Sequence, residues 1–315
     1  MFNHLSSTQL KNPLAQRLEL VGRQIGNTPL MPLKGIFNHP HVELYAKVEW
    51  QQFGQSVKAR AAFSIISDAV RTGQLDAHKV LIDATSGNTG IAYAAIGAAV
   101  GLRVRLVLPA NVSAARKRIL RALGAELVFS SEFEGTDGAQ RLARETVALD
   151  PHRYFYANQY ANPANFLAHV RTTSREIWAQ TGGEVTHFVA GLGTTGTFTG
   201  TTLGLKDFNP GIQAIELQPD LAMHALEGWK HLETAAVPKI YRVGLADARV
   251  EVSTDAAYRL MKEVAQKEGL LLSPSAAANL SGAIQVAQGL EKGVVVTVFA
   301  DNADKYGDVY DELYA

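Results

Sequence analysis

Short β-branched runs alternate with longer helical stretches along this chain, and that alternation limits its fold more than any other feature. Strands are predicted at Glu43–Val48, Val80–Ala84, Arg103–Leu108, Glu126–Phe129, Val185–Ala190, Ile212–Leu217 and Val294–Phe299. Helices are predicted near Val57–Thr72, Thr89–Val100, Ser113–Leu123, Gly138–Leu149, Pro163–Gln180, Thr197–Leu205, Asp255–Lys267 and Ala276–Gln288. Strand–helix alternation with connections this short implies parallel sheets covered on both faces. The helix after Thr89 carries Gly or Ala at positions 90, 92, 94, 95, 97, 98 and 99, so it has almost no side chain to hold it off a sheet. The reading is α/β, with two packed domains, a cleft between them and a boundary near Asn158–Asn162.

Composition narrows the function classes. At 315 residues the chain has room for about two cores. Thirty basic and thirty acidic residues cancel, so no strong field favours nucleic acid or an anionic membrane surface. Cysteine is absent, which removes disulfides and thiolate metal sites. Met1 to Leu18 is polar without an apolar signal core, and the longest apolar run, within Gly90–Gly101, is broken by glycines. A cytoplasmic enzyme with no membrane and no nucleic-acid partner is expected.

Two glycine-threonine loops and a lysine upstream of both carry the chemical signal. Thr85-Ser86-Gly87-Asn88-Thr89-Gly90 and Gly191-Leu192-Gly193-Thr194-Thr195-Gly196-Thr197 each follow an apolar run and open a helix. A helix N-terminus presents unpaired N–H groups and partial positive charge, so both loops suit anions. Ser56 is placed to cap the next helix, which puts Lys58 in its first turn, where a cation opposes the helix dipole. A lysine there, in an apolar pocket, has a lowered amine pKa suited to a Schiff base. The plainer accounts are a snorkelling surface lysine and ordinary loop-plus-cap helix starts.

The second loop has another reading. Gly191, Gly193 and Gly196 satisfy G-x-G-x-x-G, and Glu216 lies where a ribose-binding acid of a nicotinamide site is expected. Against it, Thr194, Thr195 and Thr197 crowd the loop with hydroxyls suited to a terminal phosphate. Further along, Ser273-Pro274-Ser275 follows an apolar, strand-like run, and Ser275 can serve as a helix cap.

With these segments in hand, the chain resembles the β-family (fold type II) of pyridoxal-phosphate enzymes, and within it the cysteine synthases, the B type in particular. The likeness is collinear over almost the whole chain. Ile25-Gly26-Asn27-Thr28-Pro29-Leu30 is similar to the opening motif, Ser56-Val57-Lys58 to the Schiff-base segment, and Thr85–Gly90 to the substrate loop. Asn158-Gln159-Tyr160, Pro163, Glu176-Ile177-Trp178 and Thr181-Gly182-Gly183 match the stretch before the phosphate loop, Gly193 to Thr197.

The resemblance implies a tryptophan synthase β-subunit-like fold with the active site in the cleft. It implies a smaller, mobile domain at 46–161 and a larger one at 12–45 plus 162–315. It also implies pyridoxal 5'-phosphate as cofactor, with Lys58 as its Schiff base and proton shuttle. Asn88 is then expected at the ring oxygen, Gly193, Thr194, Thr195, Gly196 and Thr197 at the phosphate, and Ser275 at the pyridine nitrogen. Thr85, Ser86, Gly87, Thr89 and Gln159 are expected to bind the substrate carboxylate. The implied reaction is β-replacement on an O-activated L-serine with a small sulfur donor, in a homodimer. No metal is implied.

The chain departs from the family pattern at Gln52-Phe53-Gly54-Gln55, at Ala59, at Ala276-Ala277 and in Asp301-Asn302-Ala303-Asp304-Lys305-Tyr306. These departures leave open cystathionine- and diaminopropionate-forming relatives and a cofactor-holding protein without turnover, beside the nicotinamide reading. Lys230, His231, Lys239 and Arg242 either favour a phosphate leaving group or are solvated surface charge.

Overall fold

A computed structural model describes residues 13–85 and 87–315. Their contacts form two compact units. The smaller comprises residues 13–25 and Lys58–Ala164, and the larger comprises Gly26–Val57 and Asn165–Ala315. Among the described residues no helix is long and apolar enough to cross a membrane. No group of three or more His, Asp or Glu among them is arranged to hold a metal.

The smaller unit is built on β3 (Val80–Ala84), β4 (Arg103–Pro109), β5 (Glu126–Ser130) and β6 (Tyr154–Tyr156). They lie in the order β5-β4-β3-β6, all parallel, as short strand–helix–strand connections require. One face carries α5 (Gly135–Leu149), whose Ala139 and Ala143 pack with Val80, Ile82, Ala84 and Val107. Of the other helices, α2 (Lys58–Arg71) packs on α3 (Asn88–Val100), which is followed by α4 (Ala114–Ala122). The small-residue helix lies close on its sheet, as expected. A Cβ added at Gly97 would sit 2.5 Å from Val104 Cγ2, and one at Gly90 3.2 Å from Leu106 Cδ1.

The larger unit has β1 (Leu30–Pro32), β2 (Val42–Val48), β7 (His187–Gly191), β8 (Gln213–Pro219), β9 (Ala248–Val252) and β10 (Gly293–Phe299), in the order β1-β2-β10-β7-β8-β9. The edge strand β1 alone among them runs antiparallel. Both faces are covered, which explains why β10 is apolar but for Gly293 and Thr297, whose hydroxyl donates to Val189 O. Val295 and Phe299 join a cluster with α9 (Thr254–Lys267) and α10 (Pro274–Gln288). Val296 and Val298 face the opposite cluster, with Phe198 and Leu205 of α8 (Gly196–Phe208) and Ile177 of α7 (Thr173–Gln180).

Two stretches fall differently from the sequence boundaries. The helix α1 (Pro13–Gly22) buries Leu14, Leu18 and Val21 and contacts α2 and α3, so it groups with the smaller unit. Residues 46–57 group with the larger, because β2 pairs with β10 from Gly293↔Val42 to Phe299↔Val48. The single helix predicted over Pro163–Gln180 is two, α6 (Ala164–Arg171) and α7, and α11 (Gly307–Tyr314) closes the chain. The apolar run before Ser273 forms only one bridge, Leu272↔Asn302.

Candidate active site

In the larger unit, β7 runs into the Gly191–Thr197 loop and the loop into α8. Three glycines are required here by close approach. A Cβ at Gly191 would lie 2.0 Å from Trp229 Cε2, one at Gly193 2.1 Å from the Gly228 carbonyl oxygen, and one at Gly196 2.0 Å from Asn165 Oδ1. Thr195 holds φ +70 as the residue before α8, a left-handed conformation that is uncommon for a β-branched side chain. Its hydroxyl is buried with no hydrogen-bond partner. Beside it, Asn165 Nδ2 donates to Thr194 Oγ1 at 3.1 Å. His169, buried at 1% exposure, lies between Thr173 Oγ1 (2.9 Å from Nδ1) and Thr197 Oγ1 (3.3 Å from Nε2). An orphaned hydroxyl and the N-terminal turn of a helix fit a phosphate monoester, which accepts from several donors at once.

The start of α10 lies in the same unit. Ser273 is its cap, accepting from Ala276 N at 3.1 Å. The expected cap, Ser275, is instead in the first helical turn, because Pro274 occupies the first position and has no N–H to lose. Ser275 Oγ lies 3.2 Å from Ser273 Oγ, which leaves Ser275 a neutral hydroxyl at a helix N-terminus. From α10, Asn279 Oδ1 accepts from Gly191 N at 2.7 Å and fixes the exit of β7.

Ahead of Lys58, Gly54 (φ +83) and Gln55 (φ +51) turn the chain through left-handed backbone. Val57 N donates to Ala300 O at 2.8 Å, and Lys305 Nζ to Gln55 O at 3.1 Å, so the altered closing segment anchors the altered turn. Gln52 accepts from Gly26 N at 3.0 Å and donates to Glu49 Oε2 at 2.8 Å. The cap assigned to Ser56 does not form. Val57 takes the position before the helix, and the Ser56 hydroxyl is buried without a partner.

In the smaller unit, half-buried Lys58 opens α2. Thr85, Gly87, Asn88 and Thr89 lie at the junction of β3 and α3; Ser86 falls outside the described residues. Gly87 precedes α3 and has no atom within 4 Å of an added Cβ. Thr89 Oγ1 donates to Gln159 Oε1 at 2.7 Å, so two of the expected carboxylate ligands are in contact. Gln159 Nε2 donates to Ala84 O at 3.1 Å.

Beneath them lies a residue the sequence did not single out. Asp83 is fully buried, with Oδ2 accepting from Gln159 N at 3.2 Å and Oδ1 from Ala84 N at 2.9 Å. Burial pushes its carboxyl up to about 7 in spite of those donors. Asp83 was hidden as one acid within an apolar strand, and Asn279 as one polar residue in an alanine-rich helix. Asn165, His169 and Thr173 stand at steps of four, a polar stripe that could have been read.

The nicotinamide reading loses its acid. Glu216 Oε1 accepts from Arg249 Nε at 2.7 Å and Oε2 from Tyr241 OH at 2.9 Å, so both oxygens are engaged. Of the cations considered for a leaving group, Arg242 lies over the Phe166 ring at 5.2 Å. The Lys230 backbone N donates to Leu192 O at 2.7 Å, beside the glycine loop.

Comparison with known proteins finds a family and several similar chains. Residues 21–301 match the family described as pyridoxal-phosphate dependent enzymes. The chain is 46% identical over 301 residues to a cysteine synthase of Aquifex aeolicus, covering 93% of this chain and 92% of that one. It is 38% identical over 282 residues to cysteine synthase B of Escherichia coli K12, covering 90% and 92%. The crystal structure of a cysteine synthase from Entamoeba histolytica superposes with a TM-score of 0.87 at 30% identity, covering 99% of this chain and 92% of that one.

Proposed function

The chain belongs to the family of pyridoxal-phosphate dependent enzymes, and from that membership we propose that it catalyses β-replacement on an O-activated L-serine. O-acetylserine or O-phosphoserine is the donor and sulfide or thiosulfate the nucleophile, giving L-cysteine or S-sulfocysteine. The cysteine synthases among its relatives support this reading. The structural observation that carries it is the Gly193–Thr197 cradle, with the buried, unpartnered Thr195 hydroxyl at the start of α8.

Pyridoxal phosphate, when bound, supplies the electron sink that lets bonds at Cα and Cβ of an amino acid break. The residues of this chain do the rest. Gly193, Thr194, Thr195, Gly196 and Thr197 hold the phosphate, and Asn88 orients the ring through its oxygen. Lys58 anchors the cofactor through its amine and, once released, takes the Cα proton and later returns one. Ser275 offers the ring nitrogen a neutral hydroxyl. Unlike a carboxylate, it does not hold that nitrogen protonated, which favours loss of the β-substituent. Thr85, Ser86, Gly87, Thr89 and Gln159 receive the carboxylate at the N-terminus of α3, where the helix dipole favours an anion.

We further infer a cytoplasmic homodimer. Its support is a set of exposed apolar side chains after β8: Leu221, Met223, Val237 and Val243. Light scattering should give twice the 34.0 kDa chain mass.

Steady-state rates with O-acetylserine and O-phosphoserine, each against sulfide and thiosulfate, test the reading. At least one pairing should turn over, and rapid turnover only with homocysteine or an amine as nucleophile would replace it. Lys58→Ala should abolish turnover and the visible band that borohydride bleaches in the native enzyme; retention of both would remove Lys58 from the mechanism.

A further inference from the structure

The role of Asp83 follows from the ring of bonds around it. Its carboxylate accepts from Gln159 N and Ala84 N, and the Asn158 N–H faces it as well. Gln159 then returns to the same strand end through Nε2 to Ala84 O and crosses to α3 through Oε1, which accepts from Thr89. Asn158 holds φ +46, and its carbonyl accepts from Ala161 N and Asn162 N at 2.9 Å each, so the turn that presents Gln159 is fixed from both sides. Asp83 is the one acid in this ring, and it is wholly buried. Nothing in the proposed reaction uses it directly.

We propose that Asp83 is a positioning residue of the substrate-carboxylate subsite, and that its charge state sets where Gln159 and Thr89 stand. The proposal rests on the carboxylate reading of those two residues given above. An ionised carboxylate accepts from all the N–H groups around it, since its two oxygens carry about four lone-pair sites. A protonated one turns an O–H toward a site already lined with donors, so one of those bonds is lost and the turn carrying Gln159 relaxes.

Among the described residues, the groups that face the carboxylate from the packed elements are chiefly phenols, and the charged ones meet those phenols. Tyr93 of α3 faces the carboxylate, and burial holds its phenol well above the usual range. From β6 and the turn after it come Tyr156, pushed up to about 12, and Tyr160, raised further, both chiefly by burial. From α5, Arg144 meets Tyr156 and Asp137 acts on Tyr160. On β4 the register partner is Leu106, which is apolar. With the carboxyl of Asp83 pushed up to about 7 by burial, its titration falls near neutral pH.

The test uses the holoenzyme and the KM for O-acetylserine. In the wild type, KM should rise about three- to tenfold as pH falls from about 8 to about 6, with kcat changed much less, the size expected for one lost bond. Asp83→Asn should show the raised KM throughout, with the pH dependence removed and the cofactor absorbance intact. Asp83→Glu should restore part of the wild-type profile. A variant profile parallel to wild type would overturn the proposal. Should Asp83→Asn fail to fold, the wild-type protein still decides: the 15N–1H signal of Gln159 must titrate with a midpoint near 7, and a flat signal overturns the proposal. Gln159→Ala and Thr89→Ala separate the two levels of the argument. If neither raises KM, the carboxylate reading fails and takes this proposal with it. If both do while Asp83→Asn does not, only the role of Asp83 is refuted.

Discussion

Gln55 and Thr195 both hold left-handed backbone without being glycine, at φ +51 and φ +70. A Cβ in that region meets the carbonyl oxygen and costs about 1–2 kcal/mol. Gln55→Gly should therefore stabilise the protein by about 0.5–1 kcal/mol in a denaturant titration, after allowance for the freer unfolded chain. Thr195 is the opposite case, because its strain accompanies an unpartnered hydroxyl. Thr195→Val keeps the shape and removes a buried polar group, so the cofactor-free protein should be as stable or slightly more so. Its cofactor should dissociate at a concentration about tenfold higher, as expected for a lost bond to a charged acceptor. Much of the site was legible at this scale, since the hydroxyl-rich loops and Lys58 are local in sequence. Which of two serines caps α10 was not, because that depends on where Pro274 places the first turn. The engagement of Glu216 was hidden for a similar reason, as Arg249 and Tyr241 come from residues far along the chain.

The Gly191–Thr197 element tolerates little added volume. A methyl at Gly193 would meet backbone, the Gly228 carbonyl, which cannot rotate away as a side chain could. Gly193→Ala should therefore displace the 226–230 segment, destabilise the protein by about 2 kcal/mol or more, and release cofactor, measurable by its absorbance after gel filtration. Elements with strong periodicity, β2, β3, β4, β7, β8 and β10, lie within a few residues of their predicted places. The ones the sequence concealed are short or marginal. β1 and β6 have three residues each, β9 is an edge strand with exposed residues, and α1 and α11 lie outside the alternating pattern. The break between α6 and α7 at Thr172 carries no glycine or proline to announce it.

For the whole molecule, Asp83 ties stability to pH. Its folded value of about 7 lies above the usual 3.8, so the fold prefers the protonated form. Its stabilising contribution is complete below the lower value and is lost as pH rises through the upper one, by at most about 1.4 kcal/mol per pH unit. The stability difference between wild type and Asp83→Asn, from urea midpoints of the cofactor-free protein, should therefore move against the wild type from about pH 5 to about pH 7.5. A difference that stays level would mean the carboxyl is already ionised at the acid end.

Pairing of β2 with β10 joins residues near 45 to residues near 296, whereas the four strands of the smaller unit all fall between Val80 and Tyr156. During synthesis the strands of the smaller sheet have all emerged long before Gly293 does. The larger one must wait, with Val42–Val48 unpaired on its inner side, for Gly293–Phe299 to emerge. A chain released early, short of Gly293, has no strand to bridge β2 and β7. Truncated products should therefore expose sticky apolar edges and fall to chaperones or proteases, making emergence of Gly293–Phe299 the step that commits this protein to its native state.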